Sequence, residues 1–209
     1  MTDSLFTPFS LRDTEFPNRV MLSPMCQYAA DEGMANDWHR VHLGTRAAGG
    51  AGLVMTEATA VERRGRITPG CLGIWTDEQA EALEPITSFV RSQGAVPGIQ
   101  LAHAGRKASH ARPSEGGHAL SVDHADGWQT VSATGEPYPD AEPAATRRMD
   151  AADIDEVLDA FREAAVRARD AGFEVAEVHA AHGYLLHQFL SPVTNDRDDA
   201  YGGSFENRT

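Results

Sequence analysis

The chain has 209 residues, 41% of them hydrophobic, enough for one sizeable core or at most two small ones. Eighteen basic against thirty-one acidic residues give a net charge of −13; no nucleic acid or anionic membrane surface is expected as a partner, since both recruit positive charge. The N-terminus lacks a basic start and a long apolar run, and no later run approaches the length of a membrane span, so the expected location is cytoplasmic.

The first strand-like run covers residues 19–23. A helix is predicted from about Asn36 to Ala48, closing on Gly49-Gly50, and a second strand follows at 52–56. Thr76 with Gln79 three positions on reads as a capping box for a helix that carries Leu83, Ile86, Phe89 and Val90 inward and ends at Gly94. Pro85 inside it is expected to kink or restart that helix. A third strand is predicted at 96–101. The segment to Asp150, rich in Gly, Pro, His, Ser and Asp, is far longer than an ordinary connection and reads as a functional insertion or, alternatively, an interdomain linker.

Asp150 is the predicted N-cap of a third helix, with Ile154, Val157, Leu158, Phe161, Ala165 and Ala168 at helical spacing before Gly172. The run 173–178 alternates as a fourth strand. Strands and helices in this order imply a parallel α/β sheet. Cys26 and Cys71 are too few and too separated for a disulfide framework or a cysteine metal site, so both are expected as reduced thiols.

His179-Ala-Ala-His182-Gly-Tyr184 emerges directly after the fourth strand, at the edge where parallel α/β proteins place their chemistry. Two imidazoles and a phenol there suit a carbonyl-binding site with a proton donor attached. The same histidines could be ordinary core or surface residues, and Tyr184 could simply pack at a loop base. Together with Glu177 and His187 they could also bind zinc, although that spacing does not put all four on one face of a strand or helix.

Four stretches together resemble the flavin-dependent old yellow enzyme family, in its bacterial branch of NADPH dehydrogenases and xenobiotic reductases. They are Ser23-Pro-Met-Cys-Gln-Tyr28, Gly98-Ile-Gln-Leu-Ala-His-Ala-Gly-Arg-Lys107, the run from His179 through Ser191-Pro192, and Asn195 through Tyr201-Gly-Gly-Ser-Phe-Glu-Asn-Arg208. The resemblance implies a TIM (β/α)8 barrel carrying FMN, of which this chain is the N-terminal half: about four β/α units, an incomplete FMN-binding domain over residues 1–209 with an insertion at about 103–149. It implies an oxidoreductase that uses NADPH or NADH to reduce activated C=C bonds of enones or nitro compounds. The complete protein is expected to be a homo-oligomer, and the fragment alone to be inactive.

By the same resemblance, Pro24, Met25, Cys26, Ala58, Gln100 and His179 contact FMN, with Cys26 tuning its potential. Tyr28, His179, His182 and Tyr184 bind substrate; the histidines hold the carbonyl oxygen while Tyr184 acts as general acid. No metal is implied. Arg106 and Lys107 could place positive charge near the flavin, but exposed lysines and arginines are far more often solvated, and neither is taken as a contact. The Tyr201–Arg208 stretch reads as structural, with Ser204 capping a helix. Alternatives are the front part of an iron-sulfur flavoenzyme of the dienoyl-CoA reductase type, a noncatalytic half-barrel module, and a metal-dependent hydrolase.

Overall fold

The computed structural model describes residues 4–138 and 146–209. It opens with a hairpin too short for residue alternation to announce. Strand β1 (Phe9–Leu11) pairs antiparallel with β2 (Thr14–Phe16), Phe9 stacks on Phe16 at 4.7 Å, and Arg12 turns the chain at φ 53.

Strands β3 (Met21–Leu22), β4 (Leu53–Ala60), β5 (Val96–Ala102) and β8 (Val175–Val178) form one parallel sheet in that order. The first strand is shorter than the predicted run, with only Met21 and Leu22 pairing to Leu53 and Val54, while β4 extends four residues beyond its prediction, from Thr56 to Ala60. The β4–β5 register slips between Met55 and Ala58. There Thr56 Oγ1 accepts from the Gln100 backbone N–H at 3.3 Å, filling a gap in the ladder.

Helix α1 (Asp37–Ala48) starts where Asn36 caps it, and α2 (Asp77–Ser92) starts at the Thr76–Gln79 box, with Thr76 Oγ1 accepting from Gln79 N at 3.3 Å. The helix continues unbroken through Pro85, contrary to the expected restart. Pro85 and Glu81 both lie on the exposed face, where water can satisfy the Glu81 carbonyl that proline leaves without a donor.

The segment after β5 contains β6 (Val131–Ser132) and β7 (Arg147–Arg148), a short parallel pair. Helix α3 (Ala151–Asp170) follows, capped by a reciprocal Asp150–Asp153 box. Its buried stripe is Ile154, Val157, Ala164 and Ala168, with Phe161 half-buried. Leu158, at 52% exposure, and Ala165 fit the same period but face away from this stripe. Short helices α4 (Leu185–Leu190) and α5 (Phe205–Arg208, capped by Ser204) close the described chain.

Leu43, Leu72, Ile74, Leu83, Ile86, Val90, Ile99 and Leu101 unite helices and sheet in one core. Each such side chain contributes about 1.5–3 kcal/mol on burial. The result is four consecutive β/α units, the geometry of half a (β/α)8 barrel. Both outer strands carry exposed apolar residues, Met21 at 44% and Val178 at 54%. Among the described residues no helix is long and apolar enough to cross a membrane. Because the strands are parallel, the chain leaves all four at one edge, and the predicted site residues lie there.

Candidate active site

The loop after β8 brings the three predicted rings together. Its backbone is tied to β5 by His179 N donating to Leu101 O at 2.9 Å. His182 then adopts φ 57 and Gly183 φ 74, a left-handed turn that swings the chain back. Tyr184 thereby meets His179 edge-on, with ring centroids 4.8 Å apart, and His182 meets it at 5.2 Å. A left-handed histidine is strained by roughly 1–3 kcal/mol and needs support. Lys107 Nζ donates to His182 O at 3.1 Å, and Gln188 Nε2 donates to Gly183 O at 2.7 Å. Gln188, 1% exposed, also reaches the loop after β5 through Ala104 O and Arg106 N.

The Ala181 N–H points at His179 Nδ1 from 3.3 Å, so that nitrogen accepts and the proton resides on Nε2. Burial first, and His182 second, hold the His179 imidazole below the usual histidine range. At neutral pH it is therefore an uncharged N–H donor. The His182 ring nitrogens and the Tyr184 hydroxyl have no hydrogen-bond partner among the described residues. Burial pushes the Tyr184 phenol up, with smaller pushes from Cys26 and Tyr28, so it keeps its proton across neutral pH.

Opposite stands the loop after β3. Ala30 N donates to Gly70 O at 3.0 Å and fastens this loop to the segment carrying Cys71. Gly70 is required there, since a Cβ would come within 2.4 Å of Tyr28 O. Cys26 sulfur meets both the Cys71 thiol and the Ala58 backbone N–H. Both cysteines are free, as expected, and the two thiols interact. Their hydrogen bond pulls Cys71 down, against its burial and with help from Thr68, while the same bond pushes Cys26 up. Tyr28, at φ 55, reaches Cys26, and burial raises its phenol to about 12.

Gln100 lies on β5 with its Nε2 given to Glu177 Oε1 at 2.5 Å and its Oε1 unbonded among the described residues. Pro24 is half-buried and Met25 is 44% exposed, both in the extended stretch after β3. Among the described residues no group of three or more His, Cys, Asp or Glu is arranged to hold a metal ion, so the four-residue zinc set of His179, His182, Glu177 and His187 does not assemble.

Sequence reasoning missed the polar layer behind these rings. His39 Nδ1 accepts from Asn36 N, which turns its Nε2–H toward Glu57 Oε1 at 3.4 Å, both side chains nearly inaccessible. His103 accepts from Gly105 N through Nδ1 and donates through Nε2 to Glu62 at 2.6 Å. Arg64 joins Glu62 to Asp153, and Arg147 closes on Asp153 at 2.5 Å. Arg197, 5% exposed, donates to Ala133 O and Met149 O and ties these two positions together. The contacts that join separate elements run from His39–Glu57, 18 positions apart, to Arg64–Asp153, 89 apart, too far for short-range spacing to signal, while Glu62–Arg64 and Arg147–Asp153 are local.

The family model described as the NADH:flavin oxidoreductase / NADH oxidase family matches residues 4–209. An NADH:flavin oxidoreductase of Gibberella zeae is 50% identical over 208 residues, covering 98% of this chain and 50% of that protein. An NADPH dehydrogenase of Listeria welshimeri is 46% identical over 206 residues, covering 98% and 56%. Among solved structures, the old yellow enzyme homologue from Zymomonas mobilis superposes with a TM-score of 0.83 at 31% identity, covering 99% of this chain and 56% of that one. The chain thus spans about half the length of the curated relatives it matches.

Proposed function

Because the chain belongs to the NADH:flavin oxidoreductase / NADH oxidase family, the old yellow enzymes, we propose that the protein containing it is an FMN-dependent NAD(P)H oxidoreductase reducing activated C=C bonds of α,β-unsaturated carbonyl or nitro compounds. The observation that carries this reading is the convergence of His179, His182 and Tyr184 with their polar ends unspent.

The residues present fit FMN. Cys26, Ala58, Gln100 and His179 come from four adjacent strand ends, and Gln100 offers an unbonded carbonyl oxygen to a ring N–H. Pro24 and Met25 add backbone from the first of these ends. These six residues would hold the isoalloxazine, and FMN when bound supplies the hydride. His179 and His182 would donate to the substrate oxygen, where negative charge grows during reduction, so their bonds strengthen toward the transition state. Tyr184, kept protonated by burial, would give its proton to the carbon alpha to that oxygen, and Tyr28 would line the same pocket.

Tyr184→Phe in the full-length enzyme tests the reading. Flavin reduction by NADPH should persist while alkene reduction slows by about a hundred- to ten-thousand-fold. Unchanged turnover of a cyclic enone would remove Tyr184 from the mechanism.

A further inference from the structure

Beside the three rings lies a cavity of about 260 Å³ whose wall includes Tyr28, Ile67, Thr68, Lys107, His110 and Tyr138. Among the described residues no carboxylate lines it, in a chain where acids outnumber bases thirty-one to eighteen. Arg64 holds Glu62 at 2.6 Å, Arg147 holds Asp153 at 2.5 Å and Arg197 holds Asp199 at 2.5 Å. Like half-buried Arg106, Lys107 holds no carboxylate among the described residues. Its ammonium sits 4.9 Å from the Tyr184 ring and 5.1 Å from the Tyr138 ring, donates once to His182 O, and has no acidic partner among the described residues.

An ammonium carries three protons, and one bond to a carbonyl leaves two for a ligand. Aromatic faces attract the cation without neutralising it. The ammonium also adjoins the reaction centre, because Lys107 lines the cavity while donating to His182 O and lying over the Tyr184 ring. We propose that Lys107 selects substrate charge, so that the activated alkenes this site prefers carry a carboxylate, seated on the Lys107 ammonium while the carbonyl or nitro oxygen rests on His179 and His182. The inference rests on the functional reading above and narrows its substrate class. A neutral alkene leaves the ammonium half-desolvated and unpaired; an anionic one completes it with a charge-assisted bond.

The test compares cyclohex-2-enone with its 4-carboxylate in the full-length enzyme, in wild type, Lys107→Met and Lys107→Arg. The ratio of the two KM values is the readout, because a purely structural role of Lys107 at His182 would weaken both substrates together. Wild type should favour the carboxylate by about tenfold or more, Lys107→Met should bring the ratio near one, and Lys107→Arg should restore most of it. The preference should also fall with added salt. A ratio that Lys107→Met leaves unchanged, or a wild type that prefers the neutral enone, overturns the proposal. If wild type reduces neither enone, the functional reading fails, and equilibrium binding of benzoate against benzamide decides the inference. Tighter benzoate binding that Lys107→Met abolishes supports it, and equal binding overturns it.

Discussion

Two polar clusters sit at the same edge of the sheet and are built on opposite principles. In the ring cluster, the His182 nitrogens and the Tyr184 hydroxyl have no hydrogen-bond partner among the described residues. In the chain His103–Glu62–Arg64–Asp153–Arg147, each member is bonded to the next, and His103 uses both ring nitrogens. The first can form new bonds with a ligand. The second joins the loops after β4 and β5 to the start of α3 and holds the platform still. Unspent bonding capacity, more than the presence of histidine, separates these two clusters.

Removing a ring is the sharpest way to test that separation. His182→Gly suits the left-handed backbone and deletes one of the two proposed donors to the substrate oxygen. Alkene reduction in the full-length enzyme should fall by about a hundredfold to a thousandfold, with the melting temperature changed by no more than a few degrees. A stability loss without a rate loss would move His182 into the scaffold.

Glu62→Ala is the reciprocal change. It leaves the inaccessible His103 N–H without an acceptor and takes one carboxylate from Arg64. The expected cost is about 2 kcal/mol, read as a melting temperature lower by roughly 4–8 °C. A melting temperature equal to wild type would mean that the tied cluster does not stiffen the fold.

The two clusters also differ in how far the sequence announces them. His179, His182 and Tyr184 lie within six positions behind an alternating strand, so their convergence follows from one turn. Asn36, Thr76 and Asp150 announce the helices for the same reason, since a cap acts over three residues. Lys107 looked like any solvated lysine, and only the fold shows that it stands between two tyrosine rings. The pairing of Cys26 with Cys71, and of His103 with Glu62, depends on which loops the sheet order brings side by side. Leu158 and Ala165 fit a helical period but miss the buried stripe, because periodicity fixes a face without saying how wide the neighbour is.

Acid offers the mildest probe. The Arg147 hydrogen bonds first, then the Asp150 N–H, hold the Asp153 carboxyl well below the usual carboxylate range. Burial alone would raise Glu62, yet bonds from His103 and Arg64 together hold it low as well. A depressed folded pKa means that the unfolded chain takes up the proton first. The stabilisation is therefore complete above the ordinary carboxylate pKa of about 4 and fades as pH falls through the folded value. Asp153→Asn keeps an oxygen for the Asp150 N–H while removing the charge. Its deficit in urea midpoint should be constant from neutrality down to about pH 4 and narrow below it, and a deficit that widens in acid would contradict the charge-based account. The effect should be smaller than that of Glu62→Ala, because Arg147 is 40% exposed and water screens its pair with Asp153.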